Sequence, residues 1–269
     1  MHIRDTFNQS VDSRWVQVFT GGGKQYITNS TLRLGFESAK KGMYTDAQID
    51  DYTMHARSAY PWRPPLRMTV RSRSSLPAAS IENVVGTVET MQGTAGFGFW
   101  NNPFSVRGDI LALPESIWFF YASQQSNMAL VPGVSGWGWK AQVVHSMRFG
   151  FLGHIIPTSF DIALNLLLRK SKPSSAAIQR LAGAHETLLR VDMTKWHTYI
   201  LEWYRDSAMF WVDGKVVLRV KQPPTSPLGF VAWVDNQYAI ATPTGILRFG
   251  TLNSGPQWLE MDYIEIEKL

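Results

Sequence analysis

The chain has 269 residues, 45% of them apolar and 17% charged, with 11 Trp, 14 Phe and 9 Tyr. This composition excludes a disordered tail or linker and provides for a substantial core. No cysteine is present, so neither a disulfide framework nor a thiolate metal site can be built. The formal net charge of +5 is scattered apart from Arg63, Arg67, Arg71 and Arg73. With no helix-turn-helix or RNA-binding signature beside them, nucleic acid is not an expected partner.

In chain order, strands are expected near Thr6-Phe7, Trp15 to Thr20, Gln25 to Phe36, Thr45 to Tyr52 and Leu66 to Arg73. Further candidates are Val84 to Met91, Thr94 to Asn101, Ile117 to Ala122 and Trp137 to His145. In the Leu66 to Arg73 segment, Leu66, Met68 and Val70 alternate with Arg67, Thr69 and Arg71, which points the arginines outward onto a solvated face or toward an acidic polymer. The β pattern then breaks. Pro157-Thr158-Ser159 caps an apolar helix over Phe160 to Lys170, and Ser174-Ser175 caps a second one running to about Arg190, with His185 on its apolar side. This predicts a helical hairpin insertion at about 157–190, serving either to seal a sandwich edge or as a lid over one end of a groove.

Trp196 to Trp203 and Met209 to Val217 follow as alternating runs, joined at Tyr204-Arg205-Asp206-Ser207 and turned at Asp213-Gly214. They read as an antiparallel meander with aromatic side chains along one face. Gly229 to Val234 and Leu259 to Ile266 complete the set, the last pairing with the N-terminal strand and carrying apolar groups on both faces. Many short strands with turn chemistry between them favour a two-layer sandwich, read as a single domain over 1–269. The start of the sequence lacks the apolar run of a secretory leader, which gives a cytoplasmic expectation. Ile155 to Leu168 is too short to span a bilayer.

The block Trp196-His197-Thr198-Tyr199, Glu202-Trp203 and Val212-Asp213-Gly214-Lys215 resembles the concanavalin-A-like jelly roll of lectins and of the family-16 glycoside hydrolases, the laminarinases, lichenases and agarases. The resemblance implies an all-β jelly-roll sandwich and places a Glu-x-Asp-x-Glu strand in a groove. There the first Glu is the nucleophile, the last is the general acid, and the Asp between them tunes both. The matching segment here runs from Leu113 to Ser123. In one register it offers Glu115, Ile117 and Phe119, and in the other Ser116, Trp118 and Phe120. Neither puts two carboxylates on one face, and a hydrocarbon cannot protonate a leaving oxygen. An enzyme would need relocated acids, for which Glu89, Glu115, Glu202 and Asp235 are the candidates.

A binding surface has more residues to draw on. Gly96 and Gly98 share a strand face with Trp100 and Asn102, which leaves space beside a flat ring. Gly136-Trp137-Gly138-Trp139 repeats the pattern, and Trp118 and Trp233 add ring area. Sugar rings stack their C–H faces on indoles while nearby amides and carboxylates fix the hydroxyls. Asn101, Asn102, Asp235, Asn236, Gln237 and Tyr238 are the polar candidates, with Trp233 to Tyr238 as the ligand-facing loop. About half of the indoles are expected in the core, and the sequence does not say which.

No metal site is expected. His145 and His154 lack a third ligand, and Asp5 with Asp262 supplies too few oxygens for the structural calcium found in some proteins of this fold. The reading is therefore a carbohydrate-binding or similar flat-ligand-binding sandwich without the usual acid pair. The alternatives are a divergent glycosidase, a lyase or a small-molecule isomerase or cyclase with relocated acids, and a structural or interaction protein whose tryptophans are core. Five indoles discriminate: if Trp100, Trp118, Trp137, Trp139 and Trp233 all point between the sheets, no ligand surface remains.

Overall fold

A computed structural model describes residues 2–79, 89–103, 114–146, 182–241 and 247–269. In chain order the described strands are β1 (His2–Asp5), β2 (Val16–Thr20), β3 (Lys24–Thr28), β4 (Thr31–Phe36), β5 (Asp46–Asp50), β6 (Leu66–Ser74), β7 (Thr94–Trp100), β8 (Ser116–Ala122) and β9 (Gly138–Ser146). They continue as β10 (Ala182–Leu188), β11 (His197–Trp203), β12 (Ser207–Val212), β13 (Lys215–Lys221), β14 (Gly229–Asp235), β15 (Gln237–Ala241), β16 (Leu247–Thr251) and β17 (Gln257–Lys268). One sheet has the order β13-β12-β11-β6-β17-β4-β3, with β1 also paired to β17. The other runs β10-β9-β8-β7-β14-β5-β2, and β15 with β16 forms a separate ribbon.

Strand alternation builds the core. Phe97 and Phe99 of β7, Ile117 and Phe119 of β8, and Trp139, Ala141 and Val143 of β9 turn toward the eight-stranded sheet. They meet Met68 and Val70 of β6, Tyr199, Leu201 and Trp203 of β11 and Phe210 of β12. Ring contacts bind the layers: Phe119 lies 5.0 Å from Tyr199 and 5.3 Å from Phe210, both edge-on, and Phe99 lies 5.6 Å from Trp203. Tyr199, Trp203 and Phe210 of the β11–β12–β13 meander are therefore inter-sheet packing, while Trp211 faces the other way and is half-buried.

Several expectations change. The segment 25–36 is a hairpin of β3 and β4, turned at Asn29 and Ser30 with φ of 51° and 56°. Both angles are those of the tight turn that suits a twisted hairpin. The apolar groups on both faces of the last strand come from a bulge between Met261 and Tyr263. The bulge inverts the alternation, so that Leu259 and Met261 before it and Ile264 and Ile266 after it are all buried.

The helical hairpin is not seen. Residues 157–181 lie outside the described residues, and where the second helix was expected to continue, Ala182–Leu188 is strand β10, hydrogen-bonded along β9. Ala, Glu and Leu favour a helix locally, but pairing to an open sheet edge overrides that preference. His185 sits exposed on this strand opposite Val143. The only helical element among the described residues is a 3-10 turn at Arg57–Ala59. None is long and apolar enough to cross a membrane. The expected strand at 84–91 lies mostly outside the described residues, and 89–91 is not strand.

The arginines of β6 point outward as their alternation demands, and each is already engaged. Arg67 pairs with Glu202 at 2.7 Å and with Glu267 at 3.4 Å, Arg71 pairs with Asp262 at 2.6 Å, and Arg73 shares Glu260 with Arg33. Arg71 and Arg73 also stand over the Trp196 ring, at 5.2 and 4.8 Å. Two open surface depressions lie on this face, one lined by Arg33, Arg73 and Glu260 and the other by Arg67, Glu202 and Trp211. Asp262 is thus occupied by Arg71, and Asp5 accepts hydrogen bonds from the backbone N–H groups of Phe7 and Asp12 and from Trp15 Nε1. Neither carboxylate is left for a shared calcium.

Phe119 touches rings from both layers at once, so Phe119→Ala is expected to lower the unfolding free energy by about 3–5 kcal/mol in urea denaturation.

Candidate ligand-binding site

The outer face of the seven-stranded sheet carries the alternate residues: Thr94, Gly96, Gly98 and Trp100 from β7, Ser116, Trp118 and Phe120 from β8, and Val231, Trp233 and Asp235 from β14. Trp118 is the centre of an indole group. Its ring centroid lies 5.8 Å from Trp100, 5.2 Å from Trp233 and 5.5 Å from Phe120, the last stacked at 16°. Tyr52 closes the end near Trp100, at 6.0 Å. Trp100 and Trp118 are half-buried, whereas Phe120 and Trp233 form a nearly covered floor.

The glycines explain how the rings lie so low. A methyl group on Gly96 would stand 3.0 Å from Cη2 of Trp233, and one on Gly98, where φ is +147°, would stand 2.5 Å from Cα of Trp118. The space beside Trp100 that the sequence suggested for a ligand is therefore filled by neighbouring strands and indoles. Gly98 also needs its backbone conformation, which a side chain would strain.

Trp118 is held from behind. Its Nε1–H donates to Gln142 Oε1 at 2.8 Å, and Gln142 Nε2 donates to Glu186 Oε2 at 2.9 Å. Lys140 Nζ reaches the same oxygen at 3.0 Å, and the backbone N–H of Val131 caps the other carboxylate oxygen at 3.2 Å. Lys140 and Glu186 are both buried, and burial pushes the Lys140 amine down from its ordinary range while the Glu186 carboxylate opposes that shift. Met128 of the 123–137 loop packs against the indoles from the same side.

A second feature lies where β5 pairs with β14. Asp46 of β5 stands directly opposite Asp235 of β14 in the antiparallel register, with Gln48 opposite Trp233. Asp235 Oδ1 accepts from Thr94 N at 3.0 Å, Thr94 Oγ1 at 2.9 Å and Gln237 N at 2.9 Å, and the Tyr44 hydroxyl also bonds this carboxylate. Burial pushes Asp235 up to about 6 despite those donors. Asp46 is raised well above the usual carboxylate range, first by burial and then by the charges of Asp235 and Asp50. Its Oδ1 is buried without a hydrogen-bond partner. Asp50 is satisfied by Gln48, Thr53 and the backbone of Tyr52.

The other residues singled out in the sequence fall in several places. Trp139 is in the core against Phe97, Phe119 and Tyr199. Trp137 is half-buried just before β9, and Asn102 is half-buried just beyond β7, where its carbonyl accepts from Arg57 Nη1 at 3.3 Å. Asn101 is buried and bonds the backbone of Glu115. Asn236 is wholly buried as a clamp: its Oδ1 accepts from Thr45 N, and its Nδ2 donates to the carbonyls of Met43 and Leu252. Gln237 and Tyr238 open β15, and the Tyr238 ring lies against Gly250. The run from Trp233 to Tyr238 is thus the end of one strand and the start of the next, with Asp235 and Asn236 both buried.

The acids scatter as well. Glu202 lies on the opposite sheet with Arg67, and Glu89 is exposed near Gly255. Glu115 precedes β8 at the end of the sandwich, where it accepts from Ser226 Oγ and contacts His145 Nδ1 at 3.3 Å. His154 lies outside the described residues. No group of three or more metal-ligating side chains occurs among the described residues. Of the two registers open in the sequence, β8 adopts the one that puts Ser116, Trp118 and Phe120 on the outer face.

Asp46, Gln142 and Glu186 were not singled out in the sequence. The only signal was the polar alternation in Asp46-Ala47-Gln48-Ile49-Asp50 and in Lys140-Ala141-Gln142-Val143.

No family model and no curated protein matches the sequence. Solved structures share the fold. A Bacillus licheniformis beta-glucanase is 11% identical with a TM-score of 0.52, covering 100% of this chain and 98% of its own. A pseudo beta-1,3-glucanase of Mycobacterium tuberculosis is 12% identical with a TM-score of 0.52, covering 99% and 98%. An endo-β-galactosidase of Clostridium perfringens that releases GlcNAcα1-4Gal is 12% identical with a TM-score of 0.51; it covers 98% of this chain, which spans 61% of that protein's length. The concanavalin-A-like sandwich of the family-16 glucanases is therefore the architecture of this chain, at very low sequence identity.

The raised acids set a direction with pH. A carboxyl whose folded pKa lies above its unfolded value binds protons more tightly in the folded state, so its stabilising effect is complete below about 4 and fades as pH rises through the folded pKa. For Asp235 that window ends at about 6, and for Asp51, raised by burial beneath Trp62, at about 7. Thermal stability is expected to fall between about pH 4 and 7, and Asp46→Asn should flatten part of that slope and raise the melting temperature at pH 7. Differential scanning calorimetry across pH checks both, and an unchanged slope in the variant would count against a charged pair.

Proposed function

We propose that the protein binds a carbohydrate on the outer face of the seven-stranded sheet, with Trp100 and Trp118 as the stacking platform and Trp233 beneath them. The observation that carries this reading is the Trp118-centred indole group, which turns away from the inter-sheet core at the strand where the resemblance places an acid trio. A half-exposed indole whose N–H is already bonded to Gln142 presents a fixed apolar plane, and such a plane suits the C–H face of a pyranose. Three family-16-like proteins that share the fold are named for action on β-glucans or β-galactosides, or as a pseudo-glucanase, which makes a β-linked glycan the first class to test.

The inherited retaining mechanism has no support on β8. A Ser116, Trp118 and Phe120 face offers neither a nucleophilic carboxylate nor a general acid. The protein is accordingly read as a binder that leaves the chain uncut. The rival reading of a purely structural protein is disfavoured by the partial exposure of Trp100 and Trp118.

Titration calorimetry with laminarin and mixed-linkage glucan oligosaccharides tests the proposal. Trp118→Ala should weaken binding at least tenfold, about 1.4 kcal/mol, while Trp118→Phe retains most of it. Absence of binding across a broad glycan array would sink the proposal, and release of new reducing ends would refute its non-hydrolytic part.

A further inference from the structure

Asp46 and Asp235 form a buried pair of acids with no neutralising cation among the described residues. They are 4% and 5% exposed and directly opposed on neighbouring strands. Side chains at such positions have Cβ atoms about 5 Å apart. The groups acting on them are Asp50 on β5, the Tyr44 hydroxyl, Thr94 on β7 and the backbone of Gln237, while the β2 residues opposite Asp46 and Gln48 are Thr20 and Val18. No lysine, arginine or histidine is among the described groups acting on either carboxyl. Buried charges are ordinarily paired, and an unpaired one costs several kcal/mol or takes up a proton. Burial without a partner cation is therefore a standing expense to the fold.

Resting on the glycan reading, we infer that this corner receives the ammonium group of an amino sugar, so that the ligand is a glycan bearing free amines. The buried, unpartnered Oδ1 of Asp46 is the acceptor open to it, since Asp235 Oδ1 already takes hydrogen bonds from Thr94 and Gln237, and Asp50 takes them from Thr53 and Gln48. Two aromatic rings border the same place. Trp233 is held by its Nε1–H on Thr94 Oγ1 at 2.9 Å, and the Tyr44 ring is 40% exposed although its hydroxyl turns in to Asp235. An ammonium between carboxylates and ring faces gains both ion pairing and cation–π attraction, and both are stronger out of water. Tyr44, whose ring is partly exposed, is the group whose rotation would open this corner. A metal ion is a poor fit, because the described residues offer no group of three ligating side chains. Trp233 links this corner to Trp118 at 5.2 Å, so one sugar chain can span the indole platform and the acid pair.

The test compares glucosamine oligosaccharides with their fully N-acetylated counterparts at pH 6.5, by calorimetry in two buffers of different ionisation enthalpy. The amine form should bind at least tenfold more tightly and should release protons as it displaces those held by the pair. Asp46→Asn, which keeps the shape and removes the charge, should bring the affinity ratio close to one and abolish the proton release. Should that variant not fold, Tyr44→Ala, which removes the ring wall, should also lower the ratio. Equal affinity for the two glycans would overturn the amine inference and leave the glycan reading standing. Binding of neither form, nor of any other glycan, would remove both.

Discussion

The close approach of backbone and indole at Gly96 and Gly98 governs the outer face of the seven-stranded sheet. Any side chain at Gly98 would collide with the backbone of Trp118, and one at Gly96 would collide with the carbonyl of Phe119 and the ring of Trp233. Because both positions are bare, the large rings of β8 and β14 lie across β7 and contact one another. The same three strands send Phe97, Phe99, Phe119 and Phe230 the other way, into the inter-sheet core. One set of strands thus supplies two aromatic layers, and period-two alternation alone separates the inter-sheet layer from the outer one.

The outer layer is anchored at both ends by charges of different standing. On the β9 side, Lys140 and Glu186 satisfy each other and, through Gln142, hold Trp118. On the β5 side, Asp46 and Asp235 repel each other and have no cation among the described groups acting on them. The first arrangement has the completeness of a structural network, and the second has the deficit expected of a site awaiting something. Proteins hold destabilising groups of this kind where function requires them.

Much of the architecture was legible in the sequence. Alternation at Leu66 to Arg73, imposed by one-sided burial, and the short apolar runs at Thr94 to Asn101, Ile117 to Ala122 and Gly229 to Val234, imposed by burial on both faces, marked strands that are present. What escaped notice depended on partners distant in sequence. Ala182 to Leu188 looks helical until β9 is available to pair with it. The split of the tryptophans, with Trp139 and Trp203 inside and Trp100, Trp118 and Trp233 outside, follows from sheet orientation, which no local pattern encodes. The acid pair was half visible: Asp235 stood out because it follows Trp233, but Asp46 lies far away in the chain and becomes its neighbour only through β5–β14 pairing.

The bulge in β17 has a consequence for how the molecule tolerates change. With one surplus residue between Met261 and Tyr263, β17 presents Leu259 and Met261 to the interior alongside β4, then Ile264 and Ile266 to the same interior alongside β1 and β6. Deleting that surplus residue would restore an unbroken alternation with all four side chains still inward, whereas inserting a second residue there with the bulge retained would turn one half inside out, placing isoleucines in water and Glu265 against hydrocarbon. The C-terminal strand therefore tolerates loss of its one surplus residue but not the gain of another beside the bulge, and other variation there is confined to exchange of outward side chains.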